Sequence, residues 1–326
     1  MSTLLVAFNP EGNGRSIIGD ALAGAADAIY LPDLADSDRA DALRGADAIL
    51  AGTTRVFRPG ELALLRNVRL VQFLFAGIDQ VPLADMPPNV PIAANGGAYA
   101  EPMAEHALAM ALAAAKRLLV EHAALARNEF NQFTPNRMLA GGVCGILGFG
   151  GIGVATARLA RGIGMKVHAI NRRGRSEEPT DWIGTPDQLD MLLTASDVLV
   201  ICTPLTPATL GMLGAPQLAR MKDDAILVNL ARGEIVDERA LYERLVAFPR
   251  FTACIDAWWV EPVRHGTFRM DQPFMTLPNV IGSPHNSAAA IAATGPIGLQ
   301  RAIANIKRAL AGETPLHLVP LADRML

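Results

Sequence analysis

The sequence predicts an α/β protein built from two Rossmann-like domains, each a doubly wound parallel sheet covered by helices. Three observations carry this. Strand-like and helix-like segments alternate along nearly the whole chain, which is the pattern of parallel sheets. A turn with G-x-G-x-x-G spacing joins a strand-like run to a helix-like one at residues 143–163. A long Ala/Leu-rich stretch, residues 100–128, stands between two such alternations and is long enough to leave one domain and enter another. The length of 326 residues suits about two domains with large cores.

In the first alternation, residues 4–8 read as a strand, 16–26 as an amphipathic helix, and 48–51 as a second strand. Residues 61–65 read as helical, 69–75 as a strand broken by Gly77-Ile78-Asp79, and 90–93 as the last strand. The first turn holds Gly12-Asn13-Gly14 but no third glycine at fingerprint spacing, so this domain serves some use other than dinucleotide binding. The long helix carries Pro102 in its first turn, where a missing N–H costs nothing.

The second alternation opens at Val143. Residues 143–147 form an apolar run, and each following glycine has a mechanical task. Gly148 permits the tight turn, Gly150 lets backbone approach a pyrophosphate, and Gly153 lets helix pack close on strand. Gly148, Phe149, Gly150, Gly151, Ile152 and Gly153 are therefore the candidate phosphate cradle, with free N–H groups at the helix start. Strands follow at 166–170, 198–202, 225–229, 252–256 and 280–281, with helices at 217–221, 238–246 and 287–311.

Composition excludes several classes. Hydrophobic residues at 51% against 19% charged mark a globular chain. A net charge of −3 without a long basic run argues against nucleic acid as partner. The most apolar stretch, 103–120, is interrupted by Glu105, His106, Lys116 and Arg117, so no membrane span is expected. The opening MSTLLVAFNPEG has no basic segment and too short an apolar run for a signal peptide, and the expected compartment is cytoplasmic. Cys144, Cys202 and Cys254 are odd in number and lie inside apolar runs, which suits buried thiols. No His/Cys/Asp cluster has metal-ligand spacing, and no G-x-S-x-G marks a serine nucleophile.

Ligands of such sheets sit outside the carboxyl ends of the strands. Three of those ends carry charged residues: Arg232 in Asn229–Gly233, Asp256 and Glu261 in Asp256–Pro262, and His285 in Gly282–Asn286. Singly, each reads as an ordinary surface or helix-end residue. Together, on the edge the glycine turn occupies, they form a constellation that hydride chemistry can use.

These pieces resemble the D-isomer-specific 2-hydroxyacid dehydrogenase family over essentially the whole chain. The matching motifs are Ala76-Gly77-Ile78-Asp79, Asn95 followed by Ala104-Glu105-His106, Gly148–Gly153, Thr203-Pro204-Leu205-Thr206, and Met221-Lys222 through Asn229. Ala231-Arg232-Gly233 with Val236-Asp237, Asp256 five residues before Glu261-Pro262, and Pro284-His285 complete the set. The resemblance implies that Arg232 binds the substrate carboxylate or carbonyl, a role suited to a rigid bidentate donor fork. It implies that His285 is the general acid and base, that Glu261 orients it and favours imidazolium, and that Asp256 accepts from the nicotinamide carboxamide. Peptide N–H groups at Ala76-Gly77 would hold the remaining substrate oxygens. Thr203, Pro204, Thr209 and Ala231 would line the cofactor, and Tyr99 would either reach substrate or pack between domains. The resemblance also implies a discontinuous, flavodoxin-like substrate domain, residues 1–99 with 290–326, and a dinucleotide domain at 100–289. The cleft between them would close on substrate, and a homodimer would form through the long helix.

Two departures from the family pattern bear on specificity. After the second strand of the dinucleotide domain, where NAD-preferring relatives carry an acidic residue, the chain reads Asn171-Arg172-Arg173, with Arg175 beyond. A carboxylate there accepts from the ribose 2′-hydroxyl and repels a 2′-phosphate. Its absence predicts NADP(H), with NAD use as the alternative. Trp258-Trp259 replaces smaller residues, and the loop 263–273 carries Arg264, His265 and Arg269; both read either as packing or as an active-site rim. His106, His122, His168 and His317 read as structural or exposed. The expected activity is reduction of a small 2-oxoacid such as glyoxylate or hydroxypyruvate. Phosphite or formate dehydrogenase and a non-catalytic, nucleotide-sensing corepressor are the alternatives; formate enzymes place Gln where Glu261 stands.

Overall fold

The computed structural model describes every residue except Met1, Thr54, Arg55, Gln80, Pro82, Ala84, Asp85, Ala290, Met325 and Leu326, together with the side chains of 291–294. Along the chain run β1 (Ser2–Val6), α1 (Gly14–Leu22), β2 (Ala26–Tyr30), α2 (Asp36–Gly45), β3 (Ala48–Ala51), β4 (Leu70–Phe73) and β5 (Ile92–Ala93). Next come α3 (Ala100–Ala115), α4 (Leu118–Ala126), β6 (Val143–Leu147), α5 (Gly151–Gly162), β7 (Lys166–Ile170), β8 (Trp182–Gly184), α6 (Leu189–Ala195) and β9 (Val198–Ile201). Then follow α7 (Ala215–Leu218), β10 (Ile226–Asn229), α8 (Glu238–Ala247), β11 (Thr252–Ile255), α9 (Pro262–His265), β12 (Val280–Gly282) and α10 (Ile291–Leu310). The chain separates into two compact units, Met1–Tyr99 with Ala290–Leu326, and Ala100–Ala289. The expected boundary at residue 290 itself lies outside the described residues.

The first unit is a parallel sheet in the order β2-β1-β3-β4-β5, that of flavodoxin-like sheets. Both faces are covered, so its strands are apolar on both sides. Leu5, Ile49 and Val71 face one core, while Leu4, Val6, Leu50 and Leu70 face another completed by Ile18 of α1 and Ile303 and Ile306 of α10. The second unit is a parallel sheet in the order β12-β11-β10-β9-β6-β7-β8, with the central β6 flanked by β9 and β7. In this order the chain reverses direction of growth at β6, which makes the carboxyl ends of β6 and β9 the ligand-binding crevice.

Several elements differ from the sequence reading. The helix expected through residue 26 ends at Ala23, which is left-handed (φ 47°) and followed by Gly24, and the chain then forms the edge strand β2. The polar helix α2 escapes a periodicity search because it buries only Arg39 and Leu43. The helical run expected at 61–65 is a 3-10 turn, Leu62–Leu64. The single helix expected at 100–128 is two, since Arg117 adopts φ 56° between α3 and α4. The strand β8, only three residues long, and α6 fill what reads as a loop.

Arg39 is buried and joins Glu61 by two 2.8 Å hydrogen bonds, from Nε to Oε1 and from Nη2 to Oε2. Removing one member strands a charge in the core. Arg39→Met is expected to lower the unfolding free energy by about 3–5 kcal/mol, whereas a matched apolar replacement of both residues costs much less. Denaturant melts of the two variants measure the difference, and equal losses would contradict it.

Candidate active site

The glycine turn follows β6, and its geometry requires glycine at two positions. Gly148 has φ +101°, and a Cβ there would lie 2.5 Å from the Thr203 nitrogen. A Cβ on Gly153 would lie 2.4 Å from the Gly148 carbonyl oxygen, so α5 can approach its strand only with glycine there. Gly150, by contrast, would meet nothing within 4 Å. The open side of the turn is thus at Gly150, where the first turn of α5 presents N–H groups without intrahelical partners. A pyrophosphate fits this cradle. Phe149 contributes packing rather than an exposed contact: its side chain is buried in the core, and its N–H donates to the Ile170 carbonyl at 3.0 Å.

The neighbouring strands end in the predicted constellation. Asn229 closes β10; its amide donates to the Arg232 carbonyl (2.8 Å) and accepts from the Ala231 N–H (3.1 Å), which shapes the turn that carries Arg232. The Arg232 side chain is half-buried, with Nη1 donating to the Ala231 carbonyl at 2.7 Å. Past β11, Glu261 is buried and its Oε1 accepts the Trp258 N–H at 2.6 Å. His285 follows β12 and directs Nδ1 at both Glu261 oxygens, at 2.9 and 2.8 Å.

An ionised carboxylate can only accept, so Nδ1 carries the proton and Nε2 is left for chemistry. Burial opposes ionisation of Glu261, but the His285 hydrogen bond, the Trp258 N–H and the charges of His285 and Arg232 outweigh it, and the group titrates below its ordinary 4.5. The structure thereby brings Arg232, Glu261 and His285 to one edge of one sheet.

Asp256 also has a structural task. It is fully buried, and its carboxylate is taken by three donors: Ser283 Oγ at 2.5 Å, Asn286 N–H at 3.1 Å and Ser287 N–H at 3.2 Å. Asp256 thus anchors the segment that carries His285. That segment needs an anchor, because His285 itself sits in the left-handed region (φ 51°), with its N–H donating to the Asp256 carbonyl at 2.9 Å. Thr209 is buried, and its hydroxyl donates to the Pro204 carbonyl at 2.7 Å and accepts the Thr206 N–H at 2.8 Å, so it builds the turn after β9.

Several contacts that support the site are not legible in the sequence. His106 on α3, expected to be structural or exposed, lies 3.0 Å from Ser283 Oγ through Nε2. Because that hydroxyl donates to Asp256, it accepts from His106, and the chain His106–Ser283–Asp256 supports the His285 segment. Trp258 does the same from another side, its indole N–H donating to the Ser283 carbonyl at 2.8 Å. Trp259 stacks on Phe274 (centroids 5.3 Å apart, planes at 4°) and donates to the Val236 carbonyl at 2.7 Å. The packing alternative holds for both tryptophans. Ser287 Oγ is buried without a hydrogen-bond partner among the described residues, a polar atom left over for a ligand. None of these is legible without knowing which segments meet.

After β7, the Asn171 side chain accepts the Arg173 N–H (2.9 Å) and donates to the Arg175 carbonyl (2.9 Å), closing a turn whose exposed side chains are Arg172, Arg173 and Arg175. The side chains of Arg173 and Arg175 make no ion pair among the described residues. In the other unit, Ala76 and Gly77 are half-buried and their N–H groups have no backbone partner among the described residues. The Tyr99 hydroxyl donates to the Leu74 carbonyl at 3.3 Å. Among the described residues no group of three or more His, Cys, Asp or Glu is placed to hold a metal, and no helix is long and apolar enough to cross a membrane. Burial pushes the Cys144, Cys202 and Cys254 thiols up to about 12, which leaves them inert.

A dinucleotide cradle with an imidazole–carboxylate pair and an arginine on the same sheet edge defines a nicotinamide-dependent oxidoreductase. Comparison with known proteins agrees. Residues 108–287 match the model of the D-isomer specific 2-hydroxyacid dehydrogenase NAD binding domain. The chain is 29% identical to hydroxypyruvate reductase of Thermotoga maritima over 238 residues, 72% of this chain and 76% of that enzyme. It is 34% identical to glycerate dehydrogenase of Methylorubrum extorquens over 252 residues, 74% of this chain and 76% of that enzyme. Its fold matches that of a D-isomer specific 2-hydroxyacid dehydrogenase from Xanthobacter autotrophicus Py2, solved with NADPH and MES, at TM-score 0.78 and 25% identity over 98% of both chains. The chain belongs to the D-isomer specific 2-hydroxyacid dehydrogenase family, oxidoreductases that act on CH–OH donors with a nicotinamide cofactor.

The depressed Glu261 group makes stability depend on pH with a definite sign. Its contribution is present above the unfolded value of 4.5 and is lost as pH falls through the lower folded value. The thermal midpoint advantage of the native chain over Glu261→Gln is expected to shrink as pH drops below 4.5. An advantage that grows on acidification would contradict the arrangement.

Proposed function

We propose that the protein is an NADP(H)-dependent reductase of a small 2-oxoacid of the glyoxylate or hydroxypyruvate class, yielding the D-2-hydroxyacid. The observation that carries this reading is the His285 Nδ1 contact to both Glu261 oxygens, with the Arg232 charge acting on the same carboxylate. The dinucleotide, when bound at Gly148–Gly153, supplies the hydride to the carbonyl carbon. His285 donates the Nε2 proton to the carbonyl oxygen and ends neutral, while Glu261 stays ionised and holds the ring by Nδ1. In the oxidative direction the neutral Nε2 takes the hydroxyl proton back. Arg232 offers the substrate carboxylate a planar donor fork, and the N–H groups of Ala76 and Gly77 are the further donors that the family resemblance assigns to substrate oxygens. The hydroxypyruvate reductase name among the relatives favours this substrate class.

The preference for NADP(H) over NAD(H) rests on the turn after β7. The position carries Asn171 in place of a carboxylate, with its side chain consumed within the turn, and Arg172, Arg173 and Arg175 are exposed on that turn, where they would meet a 2′-phosphate. A homodimer is inferred as well. Leu118, Leu119, Leu125, Phe130, Phe133 and Met138 are all half or more exposed on or just beyond α4, Phe133 at 91%, and a second copy of the chain would cover them.

A panel of small 2-oxoacids assayed with NADPH and NADH tests the reading. Turnover of at least one with NADPH is expected, and none with either cofactor would end it. His285→Ala should lower kcat by about 10²–10⁴-fold. Replacing Arg172 and Arg173 by alanine should raise the KM for NADPH by about tenfold or more while sparing NADH, given ~1.5–3 kcal/mol for each charge-assisted contact. Sedimentation should show a dimer for the native chain and a shift towards monomer for Phe133→Asp.

A further inference from the structure

Beyond the residues that touch substrate, the segments carrying Arg232 and Glu261 must hold a fixed separation, yet the sheet stops before it reaches them. The last ladder pair between β10 and β11 is Asn229 with Ile255, three residues short of Arg232 and six short of Glu261. Past that point the two segments meet again at few places. A Cβ on Gly233 would lie 2.5 Å from Trp258 C and Trp259 N, so the turn after Arg232 is pressed onto backbone. The Trp259 indole donates to the Val236 carbonyl at 2.7 Å.

The third tie is an ion pair. Glu234, two residues after Arg232 in the 3-10 turn Gly233–Ile235, meets Arg264, three residues after Glu261 in α9, with Oε1 and Nη1 at 2.5 Å, a contact of charges rather than an aligned hydrogen bond. Both side chains are largely withdrawn from solvent, 19% and 16% exposed, so water screens the pair weakly. The pair closes a short ring that runs from Arg232 through Glu234 and Arg264 to Glu261. The start of α9 is held a second way, since the Glu261 N–H donates to His265 Nδ1 at 3.0 Å, but that contact lies within one segment and does not span the two.

We propose that Glu234 and Arg264 form a positioning pair that sets the spacing between the Arg232 guanidinium and the Glu261–His285 couple, and so the alignment of the substrate carbonyl with its proton donor. The proposal rests on the reading of this site as that of a 2-oxoacid reductase. In this role both act through their neighbours Arg232 and Glu261. Misplacing reacting groups by about 1 Å costs about 10²-fold in rate. Loss of the pair therefore shows in kcat and in binding of the 2-oxoacid, and leaves NADPH binding at Gly148–Gly153 untouched.

Four variants test this: Glu234→Gln, Arg264→Met, the two combined, and the swapped pair Glu234→Arg with Arg264→Glu. Each single change is expected to lower kcat/KM for the 2-oxoacid by about 10- to 100-fold. The double variant should be no worse than either single, the swapped pair should recover part of the loss, and the NADPH dissociation constant should stay within about twofold by fluorescence titration. Unchanged single variants, additive losses in the double variant, or losses matched by weakened NADPH binding would overturn the proposal. Calorimetric binding of oxamate, an unreactive 2-oxoacid analogue, to the NADPH-loaded protein reads the same alignment without turnover. An active native chain with unaffected variants defeats the pair alone. A native chain that neither reduces a 2-oxoacid nor binds oxamate defeats both the pair and the reading of the site.

Discussion

The hydrogen bond between His285 Nδ1 and Glu261 is possible only because a carboxylate stays ionised while buried. Desolvation works against it, and the opposing contributions are specific: the imidazole, the Trp258 N–H and the guanidinium charge of Arg232. Each comes from a different segment, so the charge state of one side chain depends on the correct meeting of β10, β11 and β12. A carboxylate held in this way accepts a proton from nothing at working pH, and fixes which ring nitrogen faces a substrate. The acid–base chemistry follows from that fixed tautomer.

The rest of the site keeps that meeting in place. Asp256 takes no part in proton transfer; its three hydrogen bonds hold 283–287 so that His285 can occupy a left-handed conformation that a histidine does not adopt without compensation. Trp258 contributes at both ends, donating from its backbone to Glu261 and from its indole to Ser283. The loop 263–273 is organised as well, through α9, the bridge between Val260 and Arg269, and the Glu238 carboxylate, which accepts the N–H groups of Asp271 and Gln272. The side chains proposed for catalysis stand on strand ends and are braced by the loops around them.

What the sequence disclosed, and what it did not, follows from the range of the interactions involved. Gly148 and Gly153 were legible because the constraint on each is local backbone geometry, with any Cβ driven into the atoms of the same turn or the adjoining strand. Parallel strands covered on both faces announce themselves as apolar runs. The edge strands β2 and β8 did not, each burying a single residue, nor did α2, whose polar sequence buries two side chains. Arg232, Glu261 and His285 stood out by falling after strands. The support from His106 could not be read, since its partner Ser283 is 177 positions away. Asp256 was legible as a position but not as the anchor of 283–287: spacing places a residue at a strand end and does not say which loop groups its carboxylate holds.

The central claim is that Glu261 holds His285 with the proton on Nδ1, leaving Nε2 to exchange a proton with substrate. Proton–nitrogen correlation spectra of the protein with ¹⁵N-labelled histidine, recorded for the native chain and for Glu261→Gln, address it directly. The account expects a downfield, exchange-protected Nδ1–H resonance of His285 in the native chain that disappears in the variant. A His285 protonated only on Nε2, or an Nδ1–H signal indifferent to the loss of Glu261, would contradict it.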